Sequence, residues 1–567
     1  MSASSLPPWL WFFAAACLLP LLRQRAGKAL LLLAPLLGAA CLLGAPEGPL
    51  LEFSLFGVAL TPYRLDPLSR VFALLFHCAA LMSLLFAMHV RDRMQHAAAL
   101  AYIGSALMAV CAGDLVTLFL AWEAMALSST FLVWARRTPA AFTAGCRYLA
   151  AQLLSGLLLL SGLLWRIGAT GDAGFGYIGL DDAAGWLIFL AFGIKCAFPL
   201  LHNWLTDAYP EATPTGTVFL CIFTTKVAVY AMVRGFPGSE PLLYLGVVMA
   251  CFPIFYAVIE NDLRRVLAYS MINQLGFMVC GVGTGAALGL AGAVAHACND
   301  VLFKGLLFMS MGAVLQATGR CDAAGLGGLY RSMPRTAFLC VIGAASISAF
   351  PLFNGFVSKS LIMEAVLAGG HPWLWLALLF ASAGVFHHAG IKIPFFAFFG
   401  HDSGIRGADP PANMLLAMAA AALLCVLIGC FPGPLYALLP FPVSYSPYET
   451  GHVIAQLQLL CFSALAFVWL RQTGLYPPEL PSVNLDAEWT YRRLLPAAWR
   501  RAGAAASVPQ RALAGTLAAL QARGARGGRR LLRAAVRDGY AASGAAALGA
   551  LAALAALMLL YYLGRAS

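Results

Sequence analysis

Charged residues are scarce in this chain. Only 11% of its 567 residues are Asp, Glu, Lys or Arg, whereas 61% are hydrophobic. Soluble domains carry about a quarter charged residues, so the composition excludes a soluble enzyme and predicts a polytopic membrane protein. The chain has no Walker loop and no nucleotide, flavin, quinone or cluster motif, and its net charge of +12 does not suggest nucleic acid.

Paired cysteines are also lacking. The 15 cysteines are scattered singly, with no Cys-x-x-Cys pair and no Cys/His cluster of metal-ligand spacing. We therefore expect small apolar helix residues, no disulfide framework, no metal site and no cofactor. A cleavable signal peptide is not expected, because the first apolar run at 9–22 follows no basic segment.

Lysine is the third scarcity. The chain has six lysines and 30 arginines, and the arginines fall almost entirely between the apolar runs. Five lysines lie inside apolar runs: Lys195, Lys226, Lys304, Lys359 and Lys392. An ammonium in the bilayer is costly unless it is paired or hydrated, and lysine can release its proton when buried, whereas arginine stays charged. The lysines therefore predict proton handling across a membrane.

Apolar runs of spanning length predict an all-α polytopic protein of about 14–16 transmembrane helices. The sixteen runs are 9–24, 28–45, 67–89, 97–112, 114–135, 145–167, 184–204, 213–234, 241–259, 265–284, 287–315, 336–366, 373–398, 412–432, 452–471 and 541–563. Loops after odd-numbered runs hold most arginines, whereas loops after even-numbered runs hold few. The positive-inside rule then places the odd-numbered ends in the cytoplasm and both termini outside.

Residues 475–540 depart from this pattern. Three prolines open the segment, and eleven arginines lie between Arg492 and Arg537 with alanine and leucine between them. This composition predicts a basic amphipathic helix on the membrane surface or along partner subunits, before the last span. A disordered linker is the alternative, which Gly524, Gly527 and Gly528 favour.

Other polar residues accompany the lysines. Glu123 lies deep in an apolar run and needs a partner, and Pro199 and Pro351 each interrupt a helix near a lysine. The spacing of four between His296, Asp300 and Lys304 places all three on one helix face, within reach of each other. The predicted proton path comprises Glu123, Lys195, Lys226, His296, Asp300, Lys304, Lys359 and Lys392, with His202, His387 and His388 as accessory residues.

Each assignment has a structural alternative. Lys359 and Lys392 can instead be snorkelling side chains near helix ends. His387 and His388 can be structural or interfacial. Three further residues are expected to cap helices at the surface: Asp207, Asp262 and Arg264.

Several motifs occur in order along residues 95–400. They are LAWEAMALSS, IKCAFPLLHNWLTDAYPEATPT, TTKVAVYAMVR, ENDLRRVLAYSMINQLGFM and HACNDVLFKGLLF. In these motifs the chain resembles the proton-translocating antiporter-like subunits of respiratory complex I, Mrp-type sodium/proton antiporters and membrane-bound hydrogenases. TTKVAVYA and GIKIPFFAFFGHDSG are most similar to the Mrp branch. The basic segment before the last span is more similar to the largest such subunit of complex I, with its lateral helix.

The resemblance implies two inverted five-helix repeats with broken helices around a hydrated polar axis. The expected division is 1–94 for N-terminal helices, 95–235 and 236–400 for the repeats, 401–474 for C-terminal helices, 475–540 for the basic segment and 541–567 for the last helix. It also implies that Glu123 and Lys195 form an interacting pair, and that Lys359 or Lys392 is the terminal group. The family often has a histidine at the position of Asp300, and an acid there is expected to hold Lys304 protonated.

The expected function is that of a proton-conducting subunit of a multi-subunit Mrp-type antiporter in a bacterial inner membrane, without covalent chemistry of its own. Its expected partners are other membrane subunits, H⁺, lipid and, in the antiporter, Na⁺, which another subunit can carry. The alternatives are a proton-pumping subunit of a complex I-like or hydrogenase redox complex, an ion-coupled bicarbonate uptake system and a self-sufficient transporter. A purely structural scaffold is disfavoured by the buried lysines.

Overall fold

A computed structural model describes residues 6–55, 57–480 and 484–501 of the chain. The chain divides into two units, Met1–Glu488 and Trp489–Ser567. In the second unit the described part contains a π-helical segment, Thr490–Leu494. The predicted sixteenth span and most of the basic segment lie outside the described residues.

Helices make up most of the first unit. In chain order they begin with α1 (Trp9–Leu18), α2 (Gln24–Gly44), α3 (Pro67–Ala87), α4 (Arg93–Cys111), α5 (Leu115–Trp134), α6 (Pro139–Thr170), α7 (Ala183–Lys195), α8 (Asn203–Ala208), α9 (Gly216–Ile222) and α10 (Thr224–Gly235). They continue with α11 (Glu240–Ile259), α12 (Leu263–Gly283), α13 (Ala287–Thr318), α14 (Pro334–Ile347), α15 (Asn354–Ala368), α16 (Pro372–Val385), α17 (Ala412–Cys430), α18 (Gly433–Leu438) and α19 (Thr450–Gln472). After α16 the chain continues in two π-helical segments, Phe386–Lys392 and Phe395–Phe399.

The predicted fold class is confirmed. Among the described residues, twelve helices are long and apolar enough to cross a membrane, and three shorter apolar helices accompany them. Together they match the first fifteen predicted runs in order. The chain is therefore a multi-pass membrane protein.

A β-hairpin is the element that the sequence did not predict. Strands β1 (Gly48–Leu55) and β2 (Val58–Leu65) pair antiparallel between α2 and α3, with Leu55 opposite Val58. The hairpin docks on the start of α5, where the Thr61 backbone N–H donates to Asp114 Oδ2 at 2.8 Å. The segment lies between the predicted runs 28–45 and 67–89, and a search for runs of spanning length does not predict strands there.

Two helices break in the same way. The sequence Ala-Phe-Pro-Leu separates α7 from α8 and recurs between α14 and α15. At both breaks the alanine and the leucine have positive φ, which is rare for residues with a Cβ. The four angles are 61° at Ala197, 69° at Leu200, 56° at Ala349 and 75° at Leu352. Since proline also removes a backbone donor, both breaks free carbonyl groups inside the bundle.

A second local structure also recurs. The helices α6 and α13 each have 32 residues and end at a glycine with φ of 72°. The loop after each helix pairs with the residue that begins the preceding helix: Leu115 N–H donates to Ala173 O at 2.7 Å, and Leu263 N–H donates to Cys321 O at 2.8 Å. The division of the chain into two repeats stays a prediction that these parallels favour.

Contacts between loops define the two ends of the bundle. At one end, called the Arg264 end, Arg137 pairs with Asp92 at 2.7 Å, and Arg136 and Arg264 both donate to the Pro210 carbonyl. These loops follow α3, α5, α8 and α11. The opposite end, called the Asp66 end, holds the loops after α2, α6 and α10, with Arg234 bonded to Asp66 at 2.8 Å and Arg64 to Phe175 O at 2.8 Å. The basic loops after odd-numbered spans thus share one end, as predicted. Which end faces the cytoplasm stays a prediction.

The core lies around the middle of the chain. The most apolar stretches of the spans Gly216–Gly235 and Leu263–Gly283 are entirely buried, whereas only 11% of the most apolar stretch of α19 is buried. Lys226 lies on α10, and His296 and Lys304 lie on α13, where both contact α12. These polar residues therefore lie in the interior and away from lipid.

Candidate proton-conducting site

All five lysines of the apolar runs are buried. The exposed fraction is 3% for Lys359 and 0% for the other four: Lys195, Lys226, Lys304 and Lys392. A buried ammonium requires polar partners, and each of the five has at least one oxygen within hydrogen-bond distance, as described below.

Lys195 ends α7, directly before the first break. Its Nζ donates to the Trp122 carbonyl oxygen at 2.7 Å and lies 4.3 Å from the centroid of the Trp122 ring. Trp122 itself is held by its Nε1–H, which donates to Ser155 Oγ at 2.9 Å. Glu123 is the next residue of α5, yet no ion pair joins it to Lys195 among the described residues. The predicted pair is therefore open in this structure.

Gly156 makes room for Glu123. The Glu123 side chain packs against α6 where residue 156 has no side chain, and a Cβ there would collide with Glu123 Oε1. That oxygen is buried without a hydrogen-bond partner in the described part of the chain. The glycine thus fixes where the carboxylate lies relative to Lys195.

We expect Gly156→Ala to displace Glu123 and to lower proton transport by roughly a hundredfold, the cost of an ångström-scale misplacement of a reacting group. Proton movement into membrane vesicles, normalised to the amount of the chain in the membrane, measures the effect. Gly305→Ala is the matched control, because a Cβ at that buried helical position meets nothing within 4 Å. Equal transport by the two variants would contradict the placement of Glu123 in the path.

Lys226 and Asp300 form a fully buried ion pair. The distance from Lys226 Nζ to Asp300 Oδ2 is 2.5 Å, and both side chains are 0% exposed. Lys226 Nζ also donates to the Cys221 carbonyl at 3.1 Å. The pair joins α10 to α13, so it links the first predicted repeat to the second.

The helix that carries Lys226 is itself interrupted, which the sequence did not predict. The chain passes from α9 to α10 at Phe223, and Tyr102 OH accepts from the Thr224 backbone N–H at 2.9 Å. The interruption leaves the Cys221 carbonyl available to Lys226. Neither proline nor glycine marks this site, so no local pattern predicts the interruption.

The three residues at spacing four on α13 do not bond to one another. Lys304 Nζ donates to Ser270 Oγ at 2.6 Å, on α12. His296 Nδ1 lies 3.0 Å from Ser358 Oγ, and its Nε2 lies 3.1 Å from Gln274 Oε1. Asp300 forms its ion pair with Lys226 and not with Lys304, because α10 brings an ammonium closer than the next turn of α13 does. That Asp300 holds Lys304 protonated stays a prediction.

Lys359 lies beside the second break. Its Nζ donates to the Ile347 carbonyl at 3.3 Å, the last residue of α14, and lies 4.9 Å from the Phe277 ring centroid. A carbonyl at a helix break is thus its partner, whereas the partner of Lys195 is a carbonyl inside the continuous helix α5. With 3% exposure it is not a snorkelling side chain.

Lys392 lies at the Arg264 end. Its Nζ donates to Val258 O at 2.6 Å and to Glu260 O at 2.7 Å, and it pairs with Glu479 Oε1 at 2.9 Å. It is also fully buried. The sequence did not single out Glu479, which follows two prolines beyond the last core helix.

The three accessory histidines do not bond to any of the five buried lysines in the described part of the chain. His202 Nε2 lies 3.1 Å from Asp486 Oδ2, and its ring packs against Phe252. His387 packs against the rings of Phe467 and Tyr476, and His388 is buried within the π-helical segment before Lys392. A role for the three in proton transfer stays a prediction.

The expected helix caps divide into three cases. Asp262 caps α12, accepting from the Arg264 and Arg265 backbone N–H groups at 2.8 and 2.9 Å. Arg264 is buried, and its guanidinium binds the carbonyls that follow α8. Asp207 lies inside α8 and forms a two-point ion pair with Arg147, so the expectation that it caps a helix is wrong.

Sequence reasoning missed side chains that contact the lysines and histidines. Ser270 and Glu479 are partners of Lys304 and Lys392. Gln274 and Ser358 contact His296, and Asp486 contacts His202. Gln274 had a signal, since an amide inside an apolar run needs a partner; the serines had none. Within the described residues no group of three or more His, Cys, Asp or Glu is arranged to hold a metal ion.

Breaks in membrane helices and buried, paired lysines define a protein built to hold charge inside the bilayer. The sequence pattern of the family described as NADH:quinone oxidoreductase/Mrp antiporter, transmembrane, matches residues 112–384. Hydrogenase-4 component B of Escherichia coli K12 is 30% identical over 351 residues, 54% of this chain and 52% of that protein. Na(+)/H(+) antiporter subunit A1 of Staphylococcus haemolyticus is 28% identical over 422 residues, 65% of this chain and 52% of that protein.

The fold is similar to a chain in the structure of the Mrp complex from Dietzia sp. DQ12-45-1b, with a TM-score of 0.75 and 24% identity over 91% of this chain and 62% of that chain. The chain spans about half the length of both curated relatives. Over residues 112–384 the chain matches this family's sequence pattern, which supports the proton-translocating antiporter-like family of membrane subunits.

Proposed function

We propose that the chain is the proton-conducting subunit of a multi-subunit, Mrp-type cation/proton antiporter. The observation that carries this proposal is the set of five fully or almost fully buried lysines, of which Lys226 forms an ion pair with Asp300 across the boundary of the two predicted repeats. A chain pays for buried charges with stability, so a functional reason is expected for five of them.

Glu123 and Lys195 act as the switch of the first half in this proposal. In the structure Lys195 donates to the Trp122 carbonyl, one residue from Glu123. When Glu123 pairs with Lys195, the ammonium is favoured; when the pair opens, the neutral amine is favoured and a proton moves on toward Lys226.

Water completes the path between the lysines in this proposal. Several buried polar side chains in the described part of the chain have atoms without a protein partner: Gln152, Asn203, Asn299 and Asn354. Buried amides of this kind bind ordered water in proteins. Hydrogen-bonded water is the medium through which protons pass from one titratable group to the next.

The repeats are part of the proposal. Residues 95–235 and 236–400 share the Ala-Phe-Pro-Leu break and the loop pairing after α6 and α13. The first loop pairing lies at the Asp66 end and the second at the Arg264 end, which supports inverted orientations. We place the Arg264 end in the cytoplasm of a bacterial inner membrane, since the arginine-rich loops gather there.

Other membrane subunits supply the coupling, and lipid surrounds the chain. The relative named Na(+)/H(+) antiporter subunit A1 supports Na⁺ as the counter-ion of the complex, carried by this or another subunit. The relative named hydrogenase-4 component B supports a second candidate, a proton-pumping subunit of a redox complex. The two candidates share the same proton path and differ in what drives it.

Antiport in everted vesicles that carry the whole complex tests the proposal. We expect Lys226→Ala and Glu123→Ala each to lower proton movement by about a hundredfold, because each removes a positioned proton-transfer group. Lys28→Ala is the control, since Lys28 is the lysine outside the buried set. Adding Na⁺ or NADH to wild-type vesicles separates the antiporter from the redox pump.

A further inference from the structure

The segment of the chain after α19 packs back against the buried lysine Lys392. After α19 the chain continues through residues 473–480 and 484–488, here called the strap. Tyr476 fixes its start: its ring is buried and packs against Phe467 at 5.3 Å and His387 at 5.6 Å between ring centroids. The strap is thus packed against the π-helical segment that ends at Lys392.

Glu479 of the strap reaches Lys392. The Oε1–Nζ distance is 2.9 Å, and the two side chains are 7% and 0% exposed. Lys392 Nζ also donates to two backbone carbonyls, and within the described residues Glu479 is the carboxylate that forms an ion pair with it. Pro478 and Leu480, on either side of Glu479, are exposed, whereas both carboxyl oxygens of Glu479 are buried beside Lys392.

The far part of the strap is anchored independently. Asp486 Oδ2 accepts from Tyr269 OH at 2.7 Å and lies 3.1 Å from His202 Nε2. Burial raises the pKa of the Asp486 carboxyl, but the bonds from His202 and Tyr269 outweigh burial and hold the pKa below its ordinary value. Asn484 Nδ2 donates to Glu260 Oε2 at 3.4 Å. Tyr476 thus fixes the strap before Glu479, and Asn484 and Asp486 fix it after Glu479.

We propose that Glu479 is the proton-exchange partner of Lys392, so that the strap completes the end of the path at the Arg264 end. This inference rests on the proposed function and adds a group that lies outside both predicted repeats. Asp486, through Tyr269 and His202, is a positioning residue for it.

The proton step balances within the pair. One N–H bond of the Lys392 ammonium breaks and one O–H bond forms on Glu479 Oε1, which leaves a neutral amine and a neutral carboxylic acid. The carboxyl then gives the proton to water that reaches the pair from the Arg264 end, and the amine takes the next proton from the path; the reverse order serves the opposite flow. Burial raises the pKa of the Glu479 carboxyl above its ordinary value; Lys392 and Arg471 oppose the rise, and Glu260 adds to it.

Three carboxyl variants in the whole complex test the inference. We expect Glu479→Gln, which keeps the shape, to lower proton transport in vesicles at least about tenfold, and Glu479→Asp to restore a substantial part of it. Glu449→Gln is the matched control, because Glu449 is an exposed acid before α19 whose side chain caps nothing. Lys392→Met combined with Glu479→Gln should transport no worse than Lys392→Met alone, since the two act as one unit.

The failures are distinguishable. Normal transport by Glu479→Gln, with Lys226→Ala inactive, overturns the role of Glu479 and leaves the proposed function standing. Normal transport by Lys226→Ala overturns the proposed function itself. A loss that Asp does not restore and that adds to the loss of Lys392→Met overturns the inference in favour of a structural role. If Glu479→Gln fails to assemble, Lys392→Met/Glu479→Met removes both charges together, and its assembly with loss of transport supports the exchange pair, whereas retained transport overturns it.

Discussion

Asp300→Ala is expected to abolish proton transport and to lower the free energy of unfolding by about 3–5 kcal/mol, because it leaves the Lys226 ammonium buried without its charge partner. The pair is 2.5 Å between Nζ and Oδ2 and has no exposed surface on either side chain. The Cys221 carbonyl at 3.1 Å remains, but a dipole replaces only part of a charge. The loss should appear as less chain in the membrane and a lower melting temperature of the solubilised complex.

Two further variants separate the structural loss from the functional one. Lys226→Met/Asp300→Leu removes both charges at similar volume, so we expect the melting temperature to return to near the wild-type value while transport stays absent. Asp402→Ala is the control, since its ion pair with Arg406 lies on the surface and the melting temperature should not change. A transporting double variant would show that the ion pair is not part of the path.

Arg264→Ala is expected to lower the amount of folded chain in the membrane. The guanidinium is 1% exposed and donates to Pro210 O at 2.9 Å, Ala212 O at 2.9 Å and Tyr209 O at 3.2 Å, the carbonyls that follow α8. Pro210 O keeps Arg136 as a donor and Tyr209 O keeps Thr217, so Ala212 O is the carbonyl that loses its donor, at a cost of about 1–3 kcal/mol. The loop after α8 would lose the Arg264 guanidinium, which holds it against α12.

The neighbouring arginine supplies the control. Arg265 has a partly exposed side chain and a 3.9 Å contact with Glu260, so Arg265→Ala should leave the amount of chain in the membrane close to that of wild type. Arg264→Lys keeps one charge but loses the fork of donors, and we expect an intermediate amount. Equal amounts of the Arg264→Ala and Arg265→Ala variants, measured by immunoblot of the membrane fraction, would contradict this account.

The spans and the buried lysines could be predicted because they depend on local chemistry. An apolar run of spanning length has few alternatives to a membrane helix, and a lysine inside it has few reasons to be there. The prolines at 199 and 351 marked both breaks, since proline removes a backbone donor. These features need no knowledge of which helices touch.

The pairing of the charges could not be predicted because it depends on which helices touch. Spacing along α13 favoured an Asp300–Lys304 contact, but α10 brings Lys226 to Asp300 and α12 brings Ser270 to Lys304. Glu479 lies 87 positions after Lys392 in the chain and gave no periodic signal. The hairpin at 48–65 and the interruption at Phe223 could not be predicted for the same reason, because neighbouring elements supply the hydrogen bonds that define them.

The most direct test of the central claim is proton movement in everted vesicles that hold equal amounts of wild-type, Lys226→Ala and Lys28→Ala complex. The account predicts that Lys28→Ala matches wild type, whereas Lys226→Ala loses about 99% of the rate, as expected for the removal of a positioned proton-transfer group. Wild-type rates in both variants, with the complex intact, would contradict a proton path through the buried lysines and leave those charges as structural.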